Sequence, residues 1–263
     1  MRTNPGIVLL FLAFVSCEKS SVTSDFRIVS LSPAMTEIIF ALGAQNNLVG
    51  VTTYCDYPDS AKKIYKVGDF SNPSLERILN LRPDLVIVNL PEQMRIKKQL
   101  EKFRIKTFNT SPKTLEDIYQ EIMNLGKITR RERTADSLVD YMKSNLKPVN
   151  RPKKKVYVEI CARPLITIGG ESFLNELIEM AGGENIFSDL KKDYPVINQE
   201  QVITKNPDII IVLHPEKIEK RIGWNNINAV KSRKIYEGLN QDWLMRPGPR
   251  LVLGFKQLEK VFE

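Results

Sequence analysis

Short apolar runs of β type alternate with helical patterns along almost the whole chain from residue 27 onward. Residues 27–31 read as a strand, and Ser32-Pro33 opens a helix whose Ile38, Ile39 and Leu42 share a face until Gly43 ends it. A second strand at 48–52 leads into a polar, aromatic loop, Tyr54-Cys55-Asp56-Tyr57-Pro58. Ser74 caps a helix over 75–81, Arg82-Pro83-Asp84 turns the chain, and 85–88 is apolar throughout, as a strand buried on both faces requires. A helix over 91–102 and a strand over 106–109 follow. Strands separated by helices of this length pair in parallel through crossovers.

The middle of the chain breaks this rhythm. Residues 115–146 hold no strand signal, and from Arg130 the apolar Ala135, Leu138, Val139, Met142 and Leu146 fall at helical spacing among charges. About 17 residues of helix span roughly 25 Å, the width of a small lobe. After Lys147-Pro148 the alternation restarts, with strands at 155–160 and 165–168, a helix over 171–181, strands at 209–213 and 234–237, and a final helix from Pro249. The expected architecture is α/β: two Rossmann-like lobes, 26–113 and 149–263, joined by a single long helix within a helical connector at 114–148.

An internal repeat supports this division. Ser74-Leu-Glu-Arg-Ile-Leu-Asn-Leu-Arg-Pro-Asp-Leu-Val-Ile-Val88 aligns without a gap on Asn198-Gln-Glu-Gln-Val-Ile-Thr-Lys-Asn-Pro-Asp-Ile-Ile-Ile-Val212. Each copy has a cap, a glutamate at the helix start (Glu76, Glu200), a Pro-Asp turn and an apolar strand. Earlier in each half, Thr36-Glu37 through Gly43-Ala44 resembles Asn175-Glu176 through Gly182-Gly183.

The amino terminus stands outside the pattern. Arg2, an apolar run at 7–15 and a small Ser16 describe an export signal at 1–16, too short for the roughly 20 residues of a spanning helix. Phe14-Val15-Ser16-Cys17 resembles a bacterial lipobox, which makes Cys17 the expected lipidated residue and 17–25 a polar tether. The formal charge of +8 is spread along the chain, which is ordinary solvated surface and excludes a nucleic-acid groove. Beyond Cys17, Cys55 and Cys161 are too few for a disulfide framework, and a single histidine, His214, excludes a His-rich metal site. No phosphate loop and no nucleophile elbow are present, so no catalytic residue is expected.

Loops beyond the carboxyl ends of strands form the ligand crevice of open α/β sheets. Here they carry Ser32, Pro33, Tyr54, Asp56, Tyr57, Asp69, Phe70, Asn89, Arg163, Tyr194, Asp242, Trp243 and Arg246. Several aromatics beside a few polar groups suit a large, partly apolar, planar ligand.

At these loops the chain resembles a known family. Gly50-Val-Thr-Thr-Tyr-Cys-Asp-Tyr-Pro58, Val67-Gly-Asp-Phe-Ser-Asn-Pro-Ser-Leu-Glu-Arg-Ile78, Phe173-Leu-Asn-Glu-Leu177, Ala181-Gly-Gly-Glu-Asn-Ile-Phe187, and Asp242-Trp243 with Pro249-Arg250 are similar to the vitamin B12-binding components of ABC importers, within the siderophore, haem and B12 receptors. The resemblance implies the class III periplasmic binding protein fold and an exported, lipid-anchored receptor, not an enzyme, with no permanently bound cofactor and no nucleic acid. It implies a transported cobalamin or other corrinoid, lined by Tyr54, Phe70, Tyr194, Asp242, Trp243 and Arg246. Phe70 and Tyr194 stand where that subfamily often has tryptophan. Glu76 and Glu200 are then the exposed carboxylates that dock on a permease dimer and, through it, its ATPase subunits. A haem or ferric-siderophore receptor on the same fold is the near alternative, and a thiol redox protein using Cys55 and Cys161 the remote one.

Because the anchor lies outside the repeated lobes, Cys17→Ala is expected to move the protein from the membrane fraction to the soluble extract with ligand binding intact. A variant that still fractionates with membranes would refute lipidation at Cys17.

Overall fold

The computed structural model describes residues 26–215 and 221–263; the expected export segment, the tether and Cys17 lie outside the described residues. The first lobe runs β1 (Ile28–Ser30), α1 (Pro33–Ala41), β2 (Leu48–Val51), α2 (Leu75–Asn80), β3 (Leu85–Asn89), α3 (Met94–Lys102) and β4 (Thr107–Thr110). Its strands form one parallel sheet in the order β2-β1-β3-β4. Ser32 caps α1 and Ser74 caps α2, each accepting a backbone N–H that the helix itself leaves unpaired.

The connector is helical from its start. α4 (Leu115–Thr129) opens with a reciprocal Thr114–Asp117 capping box, and its Leu115, Ile118, Ile122 and Leu125 are buried at helical spacing. Arg130, at φ 56°, ends α4 in the left-handed region, and α5 (Glu132–Asn145) folds back antiparallel on it. Lys143 near the end of α5 lies 4.9 Å from the Tyr119 ring and 3.6 Å from Glu116 at the start of α4. Gly126 makes this close packing possible, since a Cβ there would stand 2.5 Å from that of Ala135. α4 touches α1 of the first lobe and α6 of the second, so it is the helix that joins them. The amphipathic stretch after Arg130 is its packing partner.

The second lobe comprises β5 (Lys154–Ala162), β6 (Leu165–Thr167), α6 (Phe173–Ala181), β7 (Gly183–Asn185), α7 (Gln199–Lys205), β8 (Ile209–Val212), α8 (Asn228–Lys231), β9 (Ile235–Glu237), α9 (Gln241–Met245) and α10 (Leu251–Phe262). β7, β5, β8 and β9 pair in parallel in that order, which repeats the first sheet, while β6 adds an antiparallel strand to β5. The repeated Pro-Asp turn has the same work in both lobes. Asp84 accepts the Arg27 N–H at 2.7 Å and donates its own N–H to the Arg27 carbonyl at 2.9 Å. Asp208 does the same for Lys155, at 3.3 and 2.8 Å. Each Asp thus fastens the strand that follows it to the strand that founds its sheet.

The largest hydrophobic core belongs to both lobes at once, with Met35 and Ile38 of α1, Ile122 and Leu125 of α4, Leu174 and Leu177 of α6, and Phe255 and Leu258 of α10 in one cluster. Smaller cores cover the outer faces, around Val86 and Ile96 in the first lobe and Tyr157, Phe187 and Trp224 in the second. Among the described residues no helix is long and apolar enough to cross a membrane.

Glu121 of α4 accepts a hydrogen bond from Thr110 at 2.9 Å, yet burial pushes its carboxyl up to about 7. A carboxyl raised above its unfolded value of 4.5 contributes stability that is complete below that value and lost as pH rises through about 7. Glu121→Gln is therefore expected to lose less stability than the parent between those limits and to exceed it at alkaline pH. Denaturant midpoints for both proteins that run parallel across this interval would show that Glu121 titrates as an ordinary surface carboxyl.

Candidate functional site

A cleft of about 660 Å³ opens between the lobes at the carboxyl ends of their strands. That volume falls within the range of roughly 300–1,000 Å³ usual for small-molecule sites. The first lobe contributes Ser32 and Pro33 at the start of α1, Phe70, Asn89 after β3, and Lys113 after β4. Glu171, Phe173, Tyr194 and Arg246 come from the second.

The aromatics are held from behind. Gln93, 1% exposed, donates to the carbonyls of Leu31 at 3.1 Å and Phe70 at 2.8 Å, and accepts the Asn89 N–H at 2.8 Å. One buried amide therefore fixes the Phe70 loop to the ends of β1 and β3. Across the cleft, Gly169 and Gly170 donate to the carbonyls of Asp193 and Leu190, both at 2.9 Å. A Cβ on Gly169 would lie 2.1 Å from the Lys192 carbonyl oxygen, so only glycine lets the 190–194 loop come this close and present Tyr194. Desolvation raises the Tyr194 phenol above its ordinary value against a hydrogen bond with Ser172. Lys113 spans the cleft to Glu171 at 2.7 Å and Asp193 at 3.5 Å. Lys191 and Lys192 are exposed and form no ion pair among the described residues.

Beside the cleft, an ion network around the buried Glu37 ties the lobes together. Glu37 of α1, 5% exposed, accepts from Arg246 at 2.9 Å and from Arg250 Nε at 2.7 Å, with a second, shorter bond from Arg250. Arg246 also meets Asp56 at 2.7 Å and Asp242 at 3.0 Å, and the Arg250 guanidinium stacks 4.1 Å from the Tyr57 ring centroid. Desolvation of Asp56 is outweighed by the hydrogen bond and charge of Arg246, so its carboxyl sits below the usual 3.8. Arg246, held by these carboxylates against desolvation, has its pKa raised. A network with this geometry suits locking two bodies in one register; its charges are already paired.

Of the residues singled out by sequence, Phe70, Tyr194 and Arg246 are brought together in the cleft lining. Asp242 lies in the ion network, while the half-buried Trp243 and Tyr54, 58% exposed, are outside that lining. Glu76 and Glu200 are exposed in the first turns of α2 and α7, without ion pairs among the described residues. Sequence reasoning gave no role to Glu37, Gln93, Lys113, Phe173 or Arg250. The repeat contained Glu37, and the family motifs contained Phe173 and Arg250, but their partners are distant in sequence. Cys55 and Cys161 are both free thiols, Cys55 buried under contacts from Thr36 and Thr52. His214 is away from the cleft, 2.9 Å from the buried Glu159, which Arg221 grips at 2.6 and 2.7 Å. No cluster of three or more His, Cys, Asp or Glu able to hold a metal occurs among the described residues.

Residues 28–241 match the model of the periplasmic binding protein family. The chain is 31% identical to a vitamin B12-binding protein of Vibrio vulnificus, covering 98% of this chain and 96% of that one. It is 34% identical to YvrC of Bacillus subtilis, named an uncharacterized ABC transporter substrate-binding lipoprotein, over 88% of this chain and 78% of that one. In structure it is similar to a possible iron-binding, periplasmic solute-binding protein of Staphylococcus epidermidis, with a TM-score of 0.76, 32% identity, and 89% and 97% of the two chains covered.

Removing Glu37 takes the one buried carboxylate from two partly buried guanidinium groups, of which Arg246 keeps Asp56 and Asp242 and Arg250 only Asp242 at 3.9 Å. Glu37→Ala is expected to cost about 1–3 kcal/mol in denaturant unfolding, less than breaking a fully buried pair because the guanidinium groups keep other carboxylate partners. Adding Arg250→Ala should cost less than the sum of the single changes by more than about 1 kcal/mol. Additivity within about 0.5 kcal/mol would mean that the two side chains are not coupled.

Proposed function

We propose that this chain, which belongs to the periplasmic binding protein family, is the exported solute-binding receptor of an ABC importer and captures a corrinoid between its lobes. The observation that carries the reading is the cleft at the strand ends, with Phe70, Phe173 and Tyr194 around a space of cofactor size. Aromatic faces suit a flat macrocycle, and the neutral Tyr194 phenol and Asn89 amide suit its peripheral amides. The Vibrio vulnificus relative named for vitamin B12, similar over almost the whole of both chains, supports the same ligand class. The protein binds and hands over its ligand unchanged, so the reading assigns no catalytic residue.

The reading keeps Arg246 in the lining and Tyr54, Trp243 and Asp242 at the cleft mouth, where a large ligand extends past it. It assigns Cys17 as the lipid anchor, in line with the lipoprotein name of the Bacillus subtilis relative. Glu76 and Glu200 are its docking carboxylates: they occupy equivalent helix starts and remain in water, ready to meet one cation on each permease subunit. A second reading, an iron-chelate receptor, draws on the likeness to the Staphylococcus epidermidis protein and on the uncommitted Lys191 and Lys192, which suit an anionic chelate.

Purified protein is incubated with cyanocobalamin, haemin or ferric hydroxamates, desalted, and read by absorbance. Retention of cobalamin alone is expected, with Phe70→Ala or Tyr194→Ala each weakening it by about 1–3 kcal/mol. Retention of haemin or the iron chelate instead would replace the ligand. Glu76→Ala with Glu200→Ala should leave affinity unchanged and abolish uptake; full uptake by that double variant would remove the docking role.

A further inference from the structure

The strand starts of the first lobe form a face at the opposite end of that lobe from the cleft. The described chain enters there at Phe26, and α2 and α3 end there before turning into β3 and β4. Arg27, Arg82, Lys102, Arg104 and Lys106 gather on this face, all exposed. The Arg27 guanidinium donates to the Leu81 carbonyl at 2.9 Å, whereas the other four form no ion pair among the described residues. Of the nearby acids, Glu101 pairs with Lys97, and Asp84, which accepts the backbone N–H of Arg27, keeps its charge, so the five cations leave the face with a clear positive excess. Phe103, 56% exposed, stands in the midst of these cations. Arg82 and Arg104 adopt φ of 45° and 57°, a left-handed conformation that glycine and asparagine enter more easily. Local backbone geometry therefore gives no reason for arginine at either position.

We propose that this face lies against the surface of an anionic bilayer, the one that carries the anchor. The inference rests on the reading of Cys17 as lipidated. Residues 17–25 span at most about 30 Å when extended and join the lobe at this face, so the tether holds it close to the membrane. Within a Debye length of roughly 8–10 Å the unpaired cations are drawn to anionic headgroups, and an exposed phenylalanine among them enters the interface. Glu76 starts α2 at the opposite end of the lobe, so in this pose the first lobe's side of the cleft and Glu76 point away from the bilayer, in position for capture before delivery. The second lobe also has a basic strand-start face, with Lys153, Lys155, Arg233 and Lys234, but it has no exposed phenylalanine and no tether.

The chain from residue 17 onward, with Cys17→Ser to exclude a lipid, is sedimented with phosphatidylcholine vesicles and with vesicles also containing phosphatidylglycerol. Binding to the anionic vesicles alone, weakened by salt, is expected. Arg82→Asn with Arg104→Asn should lower it roughly tenfold or more, at about fivefold per cation near such a surface. Asparagine accepts the left-handed backbone, so an unchanged unfolding midpoint shows that the fold is kept. Arg233→Asn removes the same charge from the same conformation, at φ 55°, in the second lobe and should leave binding unchanged. Phe103→Ser should remove the part of the binding that persists in salt. Absence of any preference for anionic vesicles, or an equal loss in Arg233→Asn, overturns the proposal. The anchor is read separately from the intact mass of Cys17 protein made in cells: an unmodified cysteine ends the anchor reading and the orientation by tether, while the vesicle result still decides whether the face binds membranes.

Discussion

The structure depends on how each lobe grips the segment that arrives from the other. Glu37 of α1 and Glu176 of α6 occupy equivalent positions in the internal repeat. Glu37 holds Arg246 and Arg250, at the junction of α9 and α10 from the second lobe. Glu176 accepts the N–H of Leu115 at 2.8 Å, capping the α4 helix that arrives from the first lobe. A carboxylate at a helix amino terminus completes unpaired donors and favours the dipole. A buried carboxylate between two partly buried guanidinium groups is coupled to them more strongly than a surface pair. The duplicated helix thus supplies the same residue for two different bonds across one boundary.

These bonds act on lobes that already share a core. The buried faces of α1, α4, α6 and α10 meet in one cluster, so opening the cleft widely would expose apolar surface as well as unpaired charge. The cleft is therefore largely pre-formed, and a ligand entering it orders little of the protein. The finer shaping is local: Gln93 fixes the Phe70 loop, and the glycine pair at 169–170 lets the Tyr194 loop approach. Side chains that shape the cleft and side chains that lock the lobes stand beside each other, and Arg246 belongs to both sets.

The sequence by itself determined the architecture. Apolar runs separated by amphipathic helices dictate parallel strands, and the repeated helix, Pro-Asp turn and strand dictate two lobes of one design, since these signals are local in the chain. The family resemblance pointed to Phe70 and Tyr194, which the cleft brings together. In the connector the helical spacing was read from Arg130 onward, whereas the structure also makes a helix of 115–129, with Leu115, Ile118, Ile122 and Leu125 on its buried face. That the helix bearing them is the one joining the lobes became visible only from its contacts with α1 and α6. Tertiary structure alone decided the role of Glu37, because its partners Arg246 and Arg250 lie more than 200 residues away. It alone separated Trp243 and Tyr54 from the cleft lining, and it alone explained why glycine must stand at 169. Pattern and propensity are properties of neighbouring residues; which carboxylate meets which guanidinium, and which carbonyl fills the space a side chain would need, is set by how distant segments pack.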